Sequence, residues 1–440
     1  MSIWSLALLV VHMAAHSTRA HVLSPEPTQP IKIWSNSQCV FEQPLLQLEF
    51  YSSRDGLGEF ACPARQSILR DDRAAPRVED DQSIWSFPPA CTRVQGSINE
   101  ELCVFTSIDK LSKHGYSIFT TPSIADTITK LPALRGCPED DHICEEIIAT
   151  SGIDQESGAW RTAEIPGKGI GMLAARDLKP GDIVTAYTPT FMAYLESELS
   201  TADRETWWKR AIEQLPESQR KLFLGLTYVF GDERIRIQDI VKANTFQIDV
   251  NGVNHLVIFP ETSRLNHACN PNAQYVVHND LLVHIVRVTR PIAEGEEITI
   301  SYTSPLEPLD VRQQHLQHGF HFTCTCPRCA DPDSDKTLEL IKNLQDYLND
   351  WSATSTASPE MAEELLQIHR DEGLEGFMDV AYGFAALAYN AVGDTKHALH
   401  FAREARQAML MKDGRWAPNL RIWDEILRSP EEHWSFRRRL

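Results

Sequence analysis

The stretch Arg264-Leu265-Asn266-His267-Ala268-Cys269-Asn270-Pro271-Asn272 decides how this chain is read. It stands between two apolar runs, Leu256-Val257-Ile258-Phe259-Pro260 and Tyr275-Val276-Val277. That context predicts a tight crossing between strands rather than a helix. Three Asn, one His and one Cys fall within nine residues, all able to coordinate or hydrogen-bond, beside a Pro that fixes the backbone. Asn-Pro is a turn signal, and the stretch taken alone reads as a polar loop. Two later stretches change that reading: Gly295-Glu296-Glu297-Ile298-Thr299-Ile300-Ser301-Tyr302 and Cys324-Thr325-Cys326-Pro327-Arg328-Cys329.

Working outward, Pro166-Gly167-Lys168-Gly169-Ile170-Gly171 sets three glycines on alternate positions ahead of an apolar strand. Such glycines let a backbone approach a ligand closely, although a simple hairpin turn has the same look. No helix pattern follows, which excludes a dinucleotide-binding turn. Arg176-Asp177-Leu178-Lys179-Pro180-Gly181-Asp182 returns in outline as Arg290-Pro291-Ile292-Ala293-Glu294-Gly295-Glu296, each a reverse turn leading into a strand. Between them a helical insert is expected from about Leu195 to Val241, with an amphipathic stretch running from Leu222-Phe223 to Val229-Phe230. Asn244-Thr245-Phe246-Gln247 then opens a new strand. The Cys-x-Cys-x-x-Cys spacing can wrap three thiolates around one Zn²⁺, and a structural site needs a fourth ligand. A disulfide is the alternative.

In this chain order the three stretches resemble the SET-domain protein lysine methyltransferases, in a fungal-type form of the SET–MYND subfamily without the MYND finger. The resemblance covers about residues 160 to 330. It implies an S-adenosylmethionine (SAM) site in which Lys168, Gly169, Ile170 and Gly171 contact the methyl donor through their backbone. Asn244, in the place of the subfamily's Asn-Ser-Phe turn, would bind its methionine end. Asn266 and His267 would hold its amino group and adenine. Tyr302, closing the Glu-Leu-Thr-x-x-Tyr-like motif, would be the catalytic tyrosine. Phe320 would line the lysine channel and Phe322 would stack on adenine, ordinary packing being the alternative for either. Cys269 would join Cys324, Cys326 and Cys329 as the fourth ligand of one structural Zn²⁺. Ala268 replaces the usual Ser, and Ile300 stands where many members carry an aromatic.

The bulk numbers agree with such a partner. The chain has 440 residues, 42% of them hydrophobic, enough for more than one core. Its formal charge of -19 excludes a direct grip on nucleic-acid phosphates and favours a basic protein or peptide. No apolar run reaches the roughly 18 residues that span a membrane. Met1–Ala20 reads as a signal peptide, with an apolar amino-terminal strand or anchor as the alternative. Six cysteines (Cys39, Cys62, Cys91, Cys103, Cys137, Cys144) precede residue 150, an even set that suggests disulfides in an oxidising compartment, or else buried thiols. Their connectivity stays open.

Residues 337–351 and 359–372 are expected as helices. Ala381–Leu410 is expected as a helix pair turning at Val392-Gly393-Asp394, resembling one tetratricopeptide-type hairpin. The expected architecture is α+β: 1–20 signal peptide, 21–150 cysteine-containing loop-and-strand region, 151–305 SET domain, 306–330 zinc segment, 331–440 helical region. The expected function is SAM-dependent methylation of protein lysines. The alternative is a catalytically silent fold that binds a peptide through its cleft and helices. An exported enzyme would work in the secretory pathway; without export, nucleus or cytoplasm is the expectation.

Overall fold

The structure is a computed structural model that describes residues 84–95, 100–108, 114–196 and 199–439. The signal-peptide segment, Cys39 and Cys62 lie outside the described residues. Strands β1 (Ala90–Gln95), β2 (Glu101–Ser107) and β3 (Tyr116–Thr120) precede β4 (Trp160–Ile165), β5 (Gly169–Ala174), β6 (Ile183–Tyr187) and β7 (Phe191–Tyr194). After a helical insert come β8 (Phe246–Val250), β9 (Val253–Ile258), β10 (Asn266–His267), β11 (Ala273–His278), β12 (Val283–Val288) and β13 (Glu297–Ile300). They form sheets ordered β1-β2-β3-β7-β9-β8, β10-β13-β5-β4 and β11-β12-β6. β3 pairs in parallel with β7, so residues on both sides of position 150 share one sheet. The disulfide Cys91–Cys103 joins the β1–β2 ladder at a directly opposed pair, and Cys137–Cys144 ties a loop to the helix His142–Thr150.

The two look-alike turns are each other's partners. Leu178 and Ile292 exchange both main-chain hydrogen bonds, at 2.9 and 3.1 Å, and both side chains are buried. The helical insert comprises Thr201–Glu213, Glu217–Leu224 and Arg236–Asn244. Trp208 and Phe223 pack edge-on against Phe191 of β7, which buries the insert on the large sheet. The expected amphipathic run to Phe230 stops being helical at Leu224. Beyond it, the buried carboxylate of Asp239 accepts the N–H groups of Val229, Phe230 and Gly231 at 2.8–3.0 Å, a stronger hold than one more helical turn.

Helices Ser334–Leu348, Pro359–Asp371, Asp379–Ala391, Thr395–Lys412 and Leu420–Arg428 build a separate apolar core in the last hundred residues. The expected hairpin turn is present: Gly393 takes a positive φ of 79° and the Asp394 carboxylate caps the next helix at His397 N. The helix Leu420–Arg428, not among the expected helices, closes this core with Leu420, Trp423 and Ile426 on one face.

Arg415 fastens this region to the sheets. Its guanidinium, 2% exposed, pairs with Asp280 from the β11–β12 turn and with Asp141, whose other oxygen caps Cys144 N. Trp416 Nε1 donates to the same Asp280 oxygen at 3.1 Å. Removing one partner of a buried pair strands the other charges. Arg415→Ala should therefore lower unfolding free energy by about 3 kcal/mol, read by denaturant titration.

Candidate active site

The quoted stretch and the segment that ends in Tyr302 cross. β10 lies parallel to β13, with Asn266 opposite Thr299 and His267 opposite Ile300. Ala268 N–H donates to Ile300 O at 3.0 Å. Asn272 is fully spent on this crossing: its Oδ1 accepts from Thr299 N at 2.8 Å and its Nδ2 donates to Glu297 O at 2.8 Å. His267 Nδ1 accepts from Tyr302 N at 2.9 Å, so the proton sits on Nε2, which faces Cys269 Sγ at 3.2 Å. Burial holds this imidazole neutral, with its pKa near 3. Both ring nitrogens are thus committed inside the protein.

Beside the crossing opens a cavity of about 780 Å³. Lys168, Ile170, Asn244, Asn266, His267 and Phe322 all line it. Gly169 and Gly171 are not part of its lining: Gly169 is exposed and Gly171 is buried beneath Asn266. Gly171 is there for closeness: a Cβ on it would lie 2.6 Å from Asn266 Nδ2. Asn266 Nδ2 donates to Glu297 Oε1 at 2.9 Å, and Lys168 Nζ pairs with Glu297 Oε2 at 2.7 Å. Asn244 Nδ2 donates to Thr227 O and to Ile240 O, each at 2.7 Å.

A second, narrow space of about 90 Å³ adjoins the cavity. Tyr302 and Phe320 line both, their rings 4.8 Å apart. Its walls include Phe246, Leu265, Tyr275, Ile300 and His315, with no Asp, Glu, Lys or Arg among them. Tyr302 donates its hydroxyl to Leu265 O at 2.5 Å, and burial, with Glu297 nearby, pushes its pKa well up. Burial also raises Tyr275 to about 12 and lowers His315. Glu297 and Tyr275 were not singled out from sequence. Glu297 lies within the motif ending at Tyr302, but Tyr275 sits in an apolar strand run that reads as core.

The four cysteines converge. Cys269 follows β10, Cys324 and Cys326 follow the helix Leu309–Phe320, and Cys329 lies in the short helix Pro327–Ala330. Their sulfurs all lie within 4.8 Å of one another, Cys269 and Cys329 at 3.4 Å. Thiolates around one tetrahedral Zn²⁺ stand about 3.8 Å apart, so this donor set could hold a zinc ion. Gln313 fixes the loop by donating to Cys324 O at 2.7 Å and accepting from Cys324 N at 2.9 Å.

Behind the narrow space lies His284, fully buried, its ring stacked on Tyr275 at 4.9 Å and edge-on to Phe246 at 4.4 Å. Neither ring nitrogen has a hydrogen-bond partner among the described residues. Burial lowers His284 to about 3 and His255 to about 4. These folded pKa values lie below the unfolded value of about 6.5, so the unfolded chain binds protons that the native state refuses. Stability contributed by the neutral rings is full above pH about 6.5 and falls as pH drops toward the folded values. His284→Phe should reduce the slope of stability against pH in this window by up to about 1.4 kcal/mol per unit, measured by denaturant unfolding from pH 7 to 5.

The SET domain family model matches residues 169–303. The N-lysine methyltransferase SMYD2 of Bos taurus is 36% identical over 155 residues, covering 34% of this chain and 35% of that protein. The SET domain-containing protein SmydA-8, isoform A, of Drosophila melanogaster is 34% identical over 140 residues, covering 31% of this chain and 30% of that protein. The N-lysine methyltransferase SMYD2-A of Xenopus laevis is 27% identical over 245 residues, covering 50% and 56%. The chain thus spans about a third of the length of the bovine relative it matches.

Proposed function

We propose that the SET domain of this chain transfers methyl groups from SAM to lysine side chains of a basic protein substrate. One observation carries this reading: Tyr302 and Phe320 line both the large cavity and the narrow, uncharged and mostly apolar space beside it. The cavity of about 780 Å³ suits a nucleoside-sized donor, with Phe322, Asn244, Asn266 and the Lys168–Gly171 turn around it. Bound there, SAM supplies a sulfonium methyl open to displacement by an amine.

The residues do the rest by placement. A lysine amine has an ordinary pKa of about 10.4 and must arrive neutral. The uncharged walls of the channel favour that form. Tyr302 donates its hydroxyl hydrogen bond to Leu265 O, which leaves the hydroxyl lone pairs to accept an amine N–H and aim the nitrogen. Its raised pKa keeps it protonated, so it orients the amine and is no base. We assign one structural Zn²⁺ to Cys269, Cys324, Cys326 and Cys329, and the tetratricopeptide-like helices to the wall of the substrate cleft.

The two disulfides, together with the apolar segment Met1–Ala20, favour the secretory pathway. They also favour a second reading, a silent fold that holds a basic peptide without methylating it.

Tyr302→Phe separates the two. It keeps the ring and removes only the hydroxyl, so methyl transfer to a responsive peptide should fall at least about tenfold with SAM affinity within about threefold. Absence of transfer in wild type, with peptide binding unchanged by the substitution, would establish the silent reading. Metal analysis of the folded chain should return one zinc. Its removal by a chelator should unfold the segment carrying Phe320 and Phe322, seen as early proteolysis there.

A further inference from the structure

We infer that Glu297 is the positioning residue through which this site reads the amino-acid end of its donor, by fixing which end of the Asn266 amide faces the cavity. This rests on the donor-site reading above. Glu297 opens β13 opposite Leu173 of β5, so its main chain is anchored while its carboxylate lines the cavity. One carboxylate oxygen takes Asn266 Nδ2 at 2.9 Å and the other takes Lys168 Nζ at 2.7 Å.

A carboxylate accepts hydrogen bonds and cannot donate them. Asn266 must therefore turn its NH₂ toward Glu297, which leaves Oδ1 as its free end. The pair rests on the bare Gly171, where even a Cβ would lie 2.6 Å from the amide nitrogen and 3.2 Å from Glu297 Oε1. Asn244 lines the same cavity with both its donors spent on Thr227 O and Ile240 O, so its free end too is Oδ1. Two asparagines thus offer two acceptors. The group that complements them is an ammonium, whose N–H bonds only donate. A neutral nucleoside without an amino-acid tail has nothing to place there.

Glu297→Gln tests this, because a glutamine side chain also donates and so permits either orientation of Asn266. The probes are S-adenosylhomocysteine, which carries the ammonium, and methylthioadenosine, which lacks it, both titrated into the full chain by calorimetry. E297Q should weaken S-adenosylhomocysteine by at least about tenfold and methylthioadenosine by less than about threefold. Glu296→Gln removes the adjacent carboxylate, which lines the same cavity without bonding Asn266, and should leave both within about threefold. Equal weakening of both probes by E297Q, or the same selective loss in E296Q, would overturn the inference in favour of packing or bulk charge. So would no change in E297Q. Should E297Q melt early, Asn266→Ala deletes the same acceptor and must show the same selectivity. Wild type binding neither probe would instead sink the donor site itself, and this inference with it.

Discussion

The cavity, the narrow space beside it and the thiol cluster all hang on one crossing, where Asn266–Asn272 passes Glu297–Tyr302. Its glue is polar and buried, so each group must find a partner or pay a desolvation penalty. Asn272 closes two main-chain vacancies of β13, Ala268 closes a third, and His267 bonds Tyr302 N on one side and Cys269 on the other. Three outcomes follow from that single arrangement. Asn266 reaches the cavity, Tyr302 reaches the narrow space beside it, and Cys269 reaches the other thiols.

The thiol cluster extends the same fixation outward. Phe320 and Phe322 flank His321, whose left-handed φ of 58° ends the preceding helix. Their rings meet Tyr302 and His267 because the loop behind them is held by Gln313 and by the sulfurs. Arg328, between two of the cysteines, pairs with Glu372 and donates to Pro305 O, which binds the loop to the helical region. A charge so deeply buried is tolerable only when paired, so the helices and the loop are positioned together.

The insert supplies the opposite rim. Asp239, buried in the helix Arg236–Asn244, gathers three main-chain N–H groups and so shapes the loop whose Tyr228 and Val229 face the cavity. Asn244 ends that same helix. A carboxylate outside the cavity lining thereby decides where a cavity-lining amide stands.

The sequence by itself determined what depends on local spacing: the Cys-x-Cys-x-x-Cys cluster, the glycine-spaced turn, the paired Arg-x-apolar-x-x-Gly-acid turns, and the helical texture of the carboxy-terminal part. Such features are legible because a turn, a ligand pair or a 3.6-residue stripe is encoded within a dozen residues. Leu222 to Phe230 shows the limit, since its apolar spacing says helix while Asp239, ten residues from Val229, overrules it with stronger hydrogen bonds. Tyr275 and Glu297 show a further one. Nothing near Tyr275 in sequence distinguishes a strand tyrosine from core, and the motif that begins at Glu297 does not say which side chains its carboxylate meets. Only the tertiary structure places Tyr275 on the wall of the narrow space and aims Glu297 at Asn266 and Lys168, because those meetings are set by which strands lie side by side. A side chain's partners across a sheet come from long-range pairing, and no local pattern carries that information.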